Sequence, residues 1–221
     1  MQISNYIYTV LGIINNMKKA LIILSGLCLL MLGAVSCNKP VETEAPVPEF
    51  EGVIETTQTV NLGLSVSWAG YNVGSDAPEK VGSYFSCGAA DPVADNLVAK
   101  DFVYDGTADP VTANWGGTWR MPTAAEVAEL ATLEVIRAKY KGVKGYVVSN
   151  GTVNIFFPDS GYKTGGKVNP NNGACQFWYA GTTEGGGDLV HFFAKDADTW
   201  DVAVSTTKFP YLGLPLRGVC D

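Results

Sequence analysis

The chain has 221 residues, a formal charge of −7 at neutral pH and a single histidine. The acidic balance excludes the basic face that nucleic-acid binding requires, and one histidine leaves little material for a catalytic triad or a His-rich metal centre. With 25 glycines, many aromatics and short apolar runs, the composition points to numerous strands and tight turns instead of a helical bundle.

Residues 17–37 read as an address. Lys18 and Lys19 form a positive n-region, and 20–32 is an apolar h-region too short for a settled transmembrane helix. Ala34-Val35-Ser36-Cys37 matches a bacterial lipobox. Cleavage before Cys37 and acylation of that cysteine are the expectation, with the lipid holding the mature N-terminus to a membrane. Residues 1–16 precede a better start at Met17 and are set aside as an upstream extension. The expected localisation is the cell envelope, as an outer-membrane lipoprotein facing either the periplasm or the outside. Residues 38–56 carry Pro40, Pro46 and Pro48 among Glu42, Glu44, Glu49 and Glu51. Such a segment is expected to be a flexible tether. Residues 57–221 then form one domain, large enough for a proper core.

Val60, Leu62, Leu64, Val66 and Trp68 alternate with polar or small residues, which predicts a strand with one buried face. Gly63 is a candidate break within it. A turn follows at 71–74 and a short strand at 82–85. Residues 88–112 are weakly patterned and predict a surface excursion, with a helical turn or short strand near 97–104. Residues 114–130 then read N-W-G-G-T-W-R-M-P-T-A-A-E-V-A-E-L. Pro122 disfavours helix at Met121, and Thr123 with Glu126 forms a capping box. Val127, Leu130, Leu133, Ile136 and Tyr140 recur every three or four residues, predicting one main helix over this span.

Beyond it, Asn150-Gly151 between two apolar runs predicts a two-residue hairpin turn. Residues 163–173 read as a loop, 175–180 as a strand, and 189–194 with 199–205 as a second hairpin. Residues 214–219 close the chain as a last strand.

Few residues suggest chemistry. Cys87, Cys175 and Cys220 allow one disulfide in an oxidising compartment, with the pairing open; their spacing has no metal-ligand character. His191 shares a strand face with Leu189 and Phe193 and reads as a structural histidine with satisfied hydrogen bonds. Asp196, Asp198 and Asp201, with Glu184 and Asp188 upstream, begin like a calcium loop. They lack the sixth-position glycine and twelfth-position carboxylate, so a solvated acidic turn is expected. No metal or cofactor is assigned.

Several motifs occur in order: V-N-L-G-L-S-V-S-W-A-G-Y-N-V-G (60–74), N-W-G-G-T-W-R-M-P-T-x-x-E (114–126), G-V-K-G-Y (142–146), F-P-D-S-G-Y (157–162) and G-L-P-L-R-G-V-C (213–220). Together they resemble the Fibrobacter succinogenes major paralogous domain (FISUMP) family, common in lipoproteins of Bacteroidetes, across about residues 57–221. The resemblance implies an α+β domain of C-type-lectin-like fold, with one main helix, several short antiparallel strands and long loops. It implies a structural role for Trp115, Trp119, Arg120, Pro122, Thr123, Glu126 and Arg217. It also places Trp178, Tyr179, Trp200 and Tyr211 in the half of the domain that carries binding surfaces in lectin-like folds, where aromatic faces stack on sugars or fill protein pockets. Tyr71 and Cys87, and the run Phe177-Trp178-Tyr179-Ala180, depart from the family pattern, so its disulfides do not carry over. The W-R-M-P-T-x-x-E stretch also resembles formylglycine-generating enzymes, but the paired copper-binding cysteines of those enzymes have no counterpart here. The expected function is binding of a glycan or protein partner; the alternative is a structural or assembly role at the cell surface without a soluble ligand, and enzymatic activity is not expected.

Overall fold

A computed structural model describes residues 46–94, 109–181 and 187–221. The signal segment, Cys37, the element near 97–104 and Glu184 lie outside them. The described chain is α+β and dominated by strands. β1 (Thr59–Val60), β2 (Ser67–Ala69) and β11 (Val219–Cys220) form one sheet in the order β1-β2-β11. β3 (Glu134–Tyr140), β4 (Val143–Ser149) and β5 (Asn154–Pro158) form a meander. β8 (Gln176–Trp178), β9 (Gly187–Ala194) and β10 (Trp200–Thr207) form a third sheet, ordered β10-β9-β8. β6 (Tyr162–Thr164) and β7 (Lys167–Asn169) make a small hairpin inside the expected loop. The helices are α1 (Pro110–Trp115) and α2 (Ala124–Leu130). Among the described residues no helix is long and apolar enough to cross a membrane.

The expected long helix is corrected. α2 stops at Leu130, and 134–140 is strand β3. The deciding feature lies just beyond: Lys141 (φ 52) and Gly142 (φ 79) form a two-residue turn with both central residues left-handed, the geometry that lets strands pair back directly. Tyr140 then faces Val143, and Val135 and Ile136 meet Val148 and Val147 across the ladder. Such β-branched cross-strand pairs suit a pleated surface better than a helix.

The Asn150-Gly151 turn is also corrected. Ser149 pairs with Asn154 and closes a four-residue loop. Only Gly151 is left-handed, while Asn150 Oδ1 accepts from the amides of Thr152 (3.0 Å) and Val153 (2.8 Å). At 60–68 the alternating burial holds, with Val60, Leu62, Val66 and Trp68 buried. The backbone nevertheless turns at Gly63 (φ 76), and β1 folds back so that Val60 faces Trp68.

Part of the expected tether belongs to the domain. Lys139 N–H donates to Pro48 O (2.7 Å), Phe50 N–H to Lys139 O (2.8 Å) and Glu55 N–H to Asn154 O (2.9 Å). Val47 and Ile54 are buried, and Ile54 packs with Ala138, Val147 and Phe156. Apolar residues interleaved with the Pro/Glu pattern thus cover the outer edge of β3, which would otherwise present unpaired backbone.

Two larger clusters fill the interior. One gathers Trp68, Phe157, Phe177, Phe192, Val127 and Leu130; the other gathers Phe85, Trp178, Leu189, Leu214, Leu216 and Val111. Arg217, on the buried C-terminal segment, is fully enclosed. Its Nε donates to Asn72 Oδ1 (2.8 Å), Nη1 to Ala69 O (2.9 Å) and Nη2 to Phe156 O (2.9 Å). Its guanidinium lies 4.4 Å from the Phe157 ring centroid. Burial pulls its pKa down to about 9, which still leaves it charged at neutral pH. A buried cation needs its donors engaged, and a planar guanidinium can serve several acceptors at once while stacking on a ring.

Candidate functional site

The tryptophan–arginine turn is a structural junction. Asp109 caps α1, accepting from the amides of Val111 (2.8 Å) and Thr112 (3.0 Å), and its other oxygen accepts from Met121 N–H (2.8 Å). Trp115 and Trp119 meet edge to face at 5.0 Å. Both press on Gly218, where an added Cβ would sit 2.8 Å from Trp115 Cζ3 and 2.8 Å from Val111 Cγ1. Arg120 exchanges backbone bonds with Val219 (3.0 and 2.9 Å), and Pro122 O accepts from Ala180 N–H (2.9 Å). The turn therefore ties α1 and α2 to β11 and the end of β8.

The capping box forms as the sequence predicts. Thr123 N–H donates to Glu126 Oε2 (2.7 Å), and Glu126 N–H donates to Thr123 Oγ1 (3.3 Å). The same carboxylate takes both ends of Arg120, at 2.9 and 2.6 Å. Burial pushes the Glu126 carboxyl up, but the bonds from Arg120 and Thr123 outweigh it and hold it below the usual range. A carboxyl depressed in the folded state adds stability above its unfolded pKa and loses it as pH falls through the folded value. Glu126→Ala is expected to cost about 2 kcal/mol at neutral pH, the scale of a charge-assisted pair. The cost should shrink at acid pH, where the native carboxyl is protonated as well; urea melts across pH check both points.

The four aromatics proposed as ligand contacts are mostly interior. Trp178 is 1% exposed and its Nε1 donates to Phe85 O (2.6 Å). Tyr179 is buried in the larger cluster, and Trp200 packs against that cluster edge to face with Tyr146 at 5.6 Å. Trp200 and Tyr211 are both half-buried, and Tyr211 lies beside exposed Phe209 at 6.0 Å. The correction has a plain cause: β8 and β10 turn Phe177, Trp200 and Val202 inward, and the C-terminal segment covers Trp178.

The open surface is the other face of that sheet. Directly opposed residues of antiparallel strands share a face. The register sets Gln176 beside His191 and Ala203, Phe193 beside Asp201, and Leu189 beside Ser205. At one end Trp178 and Leu189 are covered by Phe85, Leu214 and Leu216. At the other, Gln176, His191, Phe193, Asp201 and Ala203 are all half-buried, while Ser205 stands in the covered row beside Leu189. His191 and Phe193 rings lie 5.2 Å apart, tilted by 35°. The expected satisfied histidine is corrected: Nδ1 is shielded from solvent without a hydrogen-bond partner, which leaves Nε2 as the open nitrogen. Burial lowers the His191 pKa, so the ring is neutral at physiological pH. Asp201 accepts from Val202 N–H (2.8 Å) and pairs with Lys195 Nζ (3.1 Å).

The remaining candidates are occupied with local structure. Asp196 accepts from the amides of Asp198 and Thr199 (both 2.9 Å) and from Thr199 Oγ1 (2.7 Å). Among the described residues no group of three His, Cys, Asp or Glu side chains is placed to hold a metal ion. Cys87, Cys175 and Cys220 are free thiols, against the expected disulfide. Cys175 is enclosed beside Phe157 O, and burial pushes its thiol well up, which keeps it protonated and inert. No family model, no curated protein and no solved structure matches the chain.

Proposed function

We propose that this chain is a binding module of the bacterial cell envelope, anchored through an acylated Cys37 as an outer-membrane lipoprotein. Its domain is of the FISUMP type with a C-type-lectin-like fold, and it holds a glycan or protein partner without chemical turnover. The supporting observation is the half-buried face of the β8-β9-β10 sheet, where Gln176, His191 and Phe193 stand on paired strands and, among the described residues, the Gln176 and His191 side chains have no hydrogen-bond partner. Sites built on strands keep their geometry better than sites on loops.

Two measurements test this reading. Cells grown with an alkyne fatty acid should label the protein, and Cys37→Ser should abolish the label and release the protein from the membrane fraction; an unlabelled wild-type protein contradicts the anchor. The mature protein should give a reproducible hit on a glycan array or a specific cross-linked envelope partner in cells. Silence in both contradicts the binding role.

A further inference from the structure

The open sheet face has a composition that narrows its ligand. It offers an amide at Gln176, an imidazole at His191 and a phenyl ring at Phe193, all brought to one side of paired strands. Among the described residues, the Gln176 and His191 side chains neither donate nor accept a hydrogen bond. Among the described residues of the three strands, Asp201 is the one charged residue on this face, and it is paired with Lys195 at 3.1 Å. The face therefore presents neutral donors and acceptors beside an aromatic ring, with its charges closed on themselves.

Each feature bears on the occupant. A neutral imidazole carries one donor and one acceptor, and an amide carries both. Such groups match hydroxyls, which also donate and accept. A phenyl face is slightly negative and favours contact with the weakly positive C–H bonds of an apolar surface. Among the described strand residues of this face, a polyanion would meet no cation, and a polycation only the Asp201 carboxylate already paired with Lys195. An apolar peptide would leave the buried polar groups of the face unmatched, which is costly. The face is about 10 Å across, two strand spacings, and it is bounded at one end by the cluster over Trp178.

Resting on the binding role above, we infer that the face formed by Gln176, His191 and Phe193 is a subsite for an uncharged saccharide, stacked on Phe193 and hydrogen-bonded to Gln176 and to His191 Nε2. The juxtaposition arises only when β8 pairs with β9, because fifteen positions separate Gln176 from His191 in the chain. The subsite is separate from the exposed Phe209–Tyr211 loop and needs no metal ion.

The single histidine makes a direct test possible, since the mature protein has only one imidazole Hε1 resonance. It is titrated with soluble neutral oligosaccharides (mannan, xylan and β-glucan fragments) and with polygalacturonate as the charged counterpart. At least one neutral probe is expected to shift that resonance saturably. His191→Ala and Gln176→Ala should each weaken the same probe about tenfold, the effect of losing one good hydrogen bond, with thermal melting unchanged. The inference is overturned if neutral probes bind while the resonance stays still and both variants bind as wild type. That result would leave the binding role intact and place it on another surface, such as Phe209. It is equally overturned if polygalacturonate alone binds, or if only a protein partner is captured and no neutral saccharide moves the resonance.

Discussion

Arg217→Met is expected to lower the stability of the domain by about 3–5 kcal/mol, because it strips the donor from three buried acceptors, each loss being worth on the order of 1–3 kcal/mol. Those acceptors are Asn72 Oδ1, Ala69 O and Phe156 O. They lie on the segment after β2 and on β2 and β5, so the side chain pins the first sheet to the meander. The loss is a large fraction of the roughly 5–15 kcal/mol that holds a domain folded. Arg217→Lys should recover less than half of it, since a compact ammonium cannot span three separate acceptors or stack on Phe157. Chemical denaturation midpoints for the wild type and both variants check the ranking.

Trp178→Ala is expected to cost about 3–5 kcal/mol, the range for emptying a buried aromatic site. The indole fills the space among Phe85, Leu189, Leu214 and Leu216, and Gly187 leaves room for it: a Cβ there would come within 2.6 Å of the ring. Trp178→Phe keeps most of the volume and should cost less, with about 1 kcal/mol traceable to the lost Nε1 hydrogen bond. A ligand-contact tryptophan would behave otherwise, losing affinity while the melting temperature held. Thermal melts of the two variants separate these outcomes.

What the sequence discloses about this fold follows contact distance. The Thr123–Glu126 capping box spans three residues, and it is legible and present. The Asp109-Pro110 start of α1 is just as local, an acidic cap before a proline at the first helical position, and it is a signal that a closer reading would have used. The β3 segment misleads because Ile136 and Tyr140, continuing the spacing of Val127, Leu130 and Leu133, sit at helical intervals that also occur by chance in a strand. The turn that settles it uses a lysine at positive φ, where glycine or asparagine is the usual sign. Arg217 is recognisable as an arginine that needs partners. The partners themselves lie 145, 148 and 61 positions away, beyond anything periodicity carries. The open sheet face is hidden for the same reason: β8 is three residues long, and its pairing with β9 alone decides that Gln176 stands beside His191. Aromatic content pointed to Trp178 and Trp200, but burial of apolar area claims large rings first, and the polar groups left on the outer face are inconspicuous in sequence.

Residues 213–220 act as the interior tie of the fold. They are all buried and bond to β2, to the Arg120 turn and to Phe85. Native-state hydrogen exchange measures this directly. The amides of Phe85, Leu214 and Val219 are predicted to exchange only through global unfolding, at the slowest rates in the protein. Exchange of those amides by local opening, orders of magnitude faster than the β4 amides at the centre of the meander, would contradict the account.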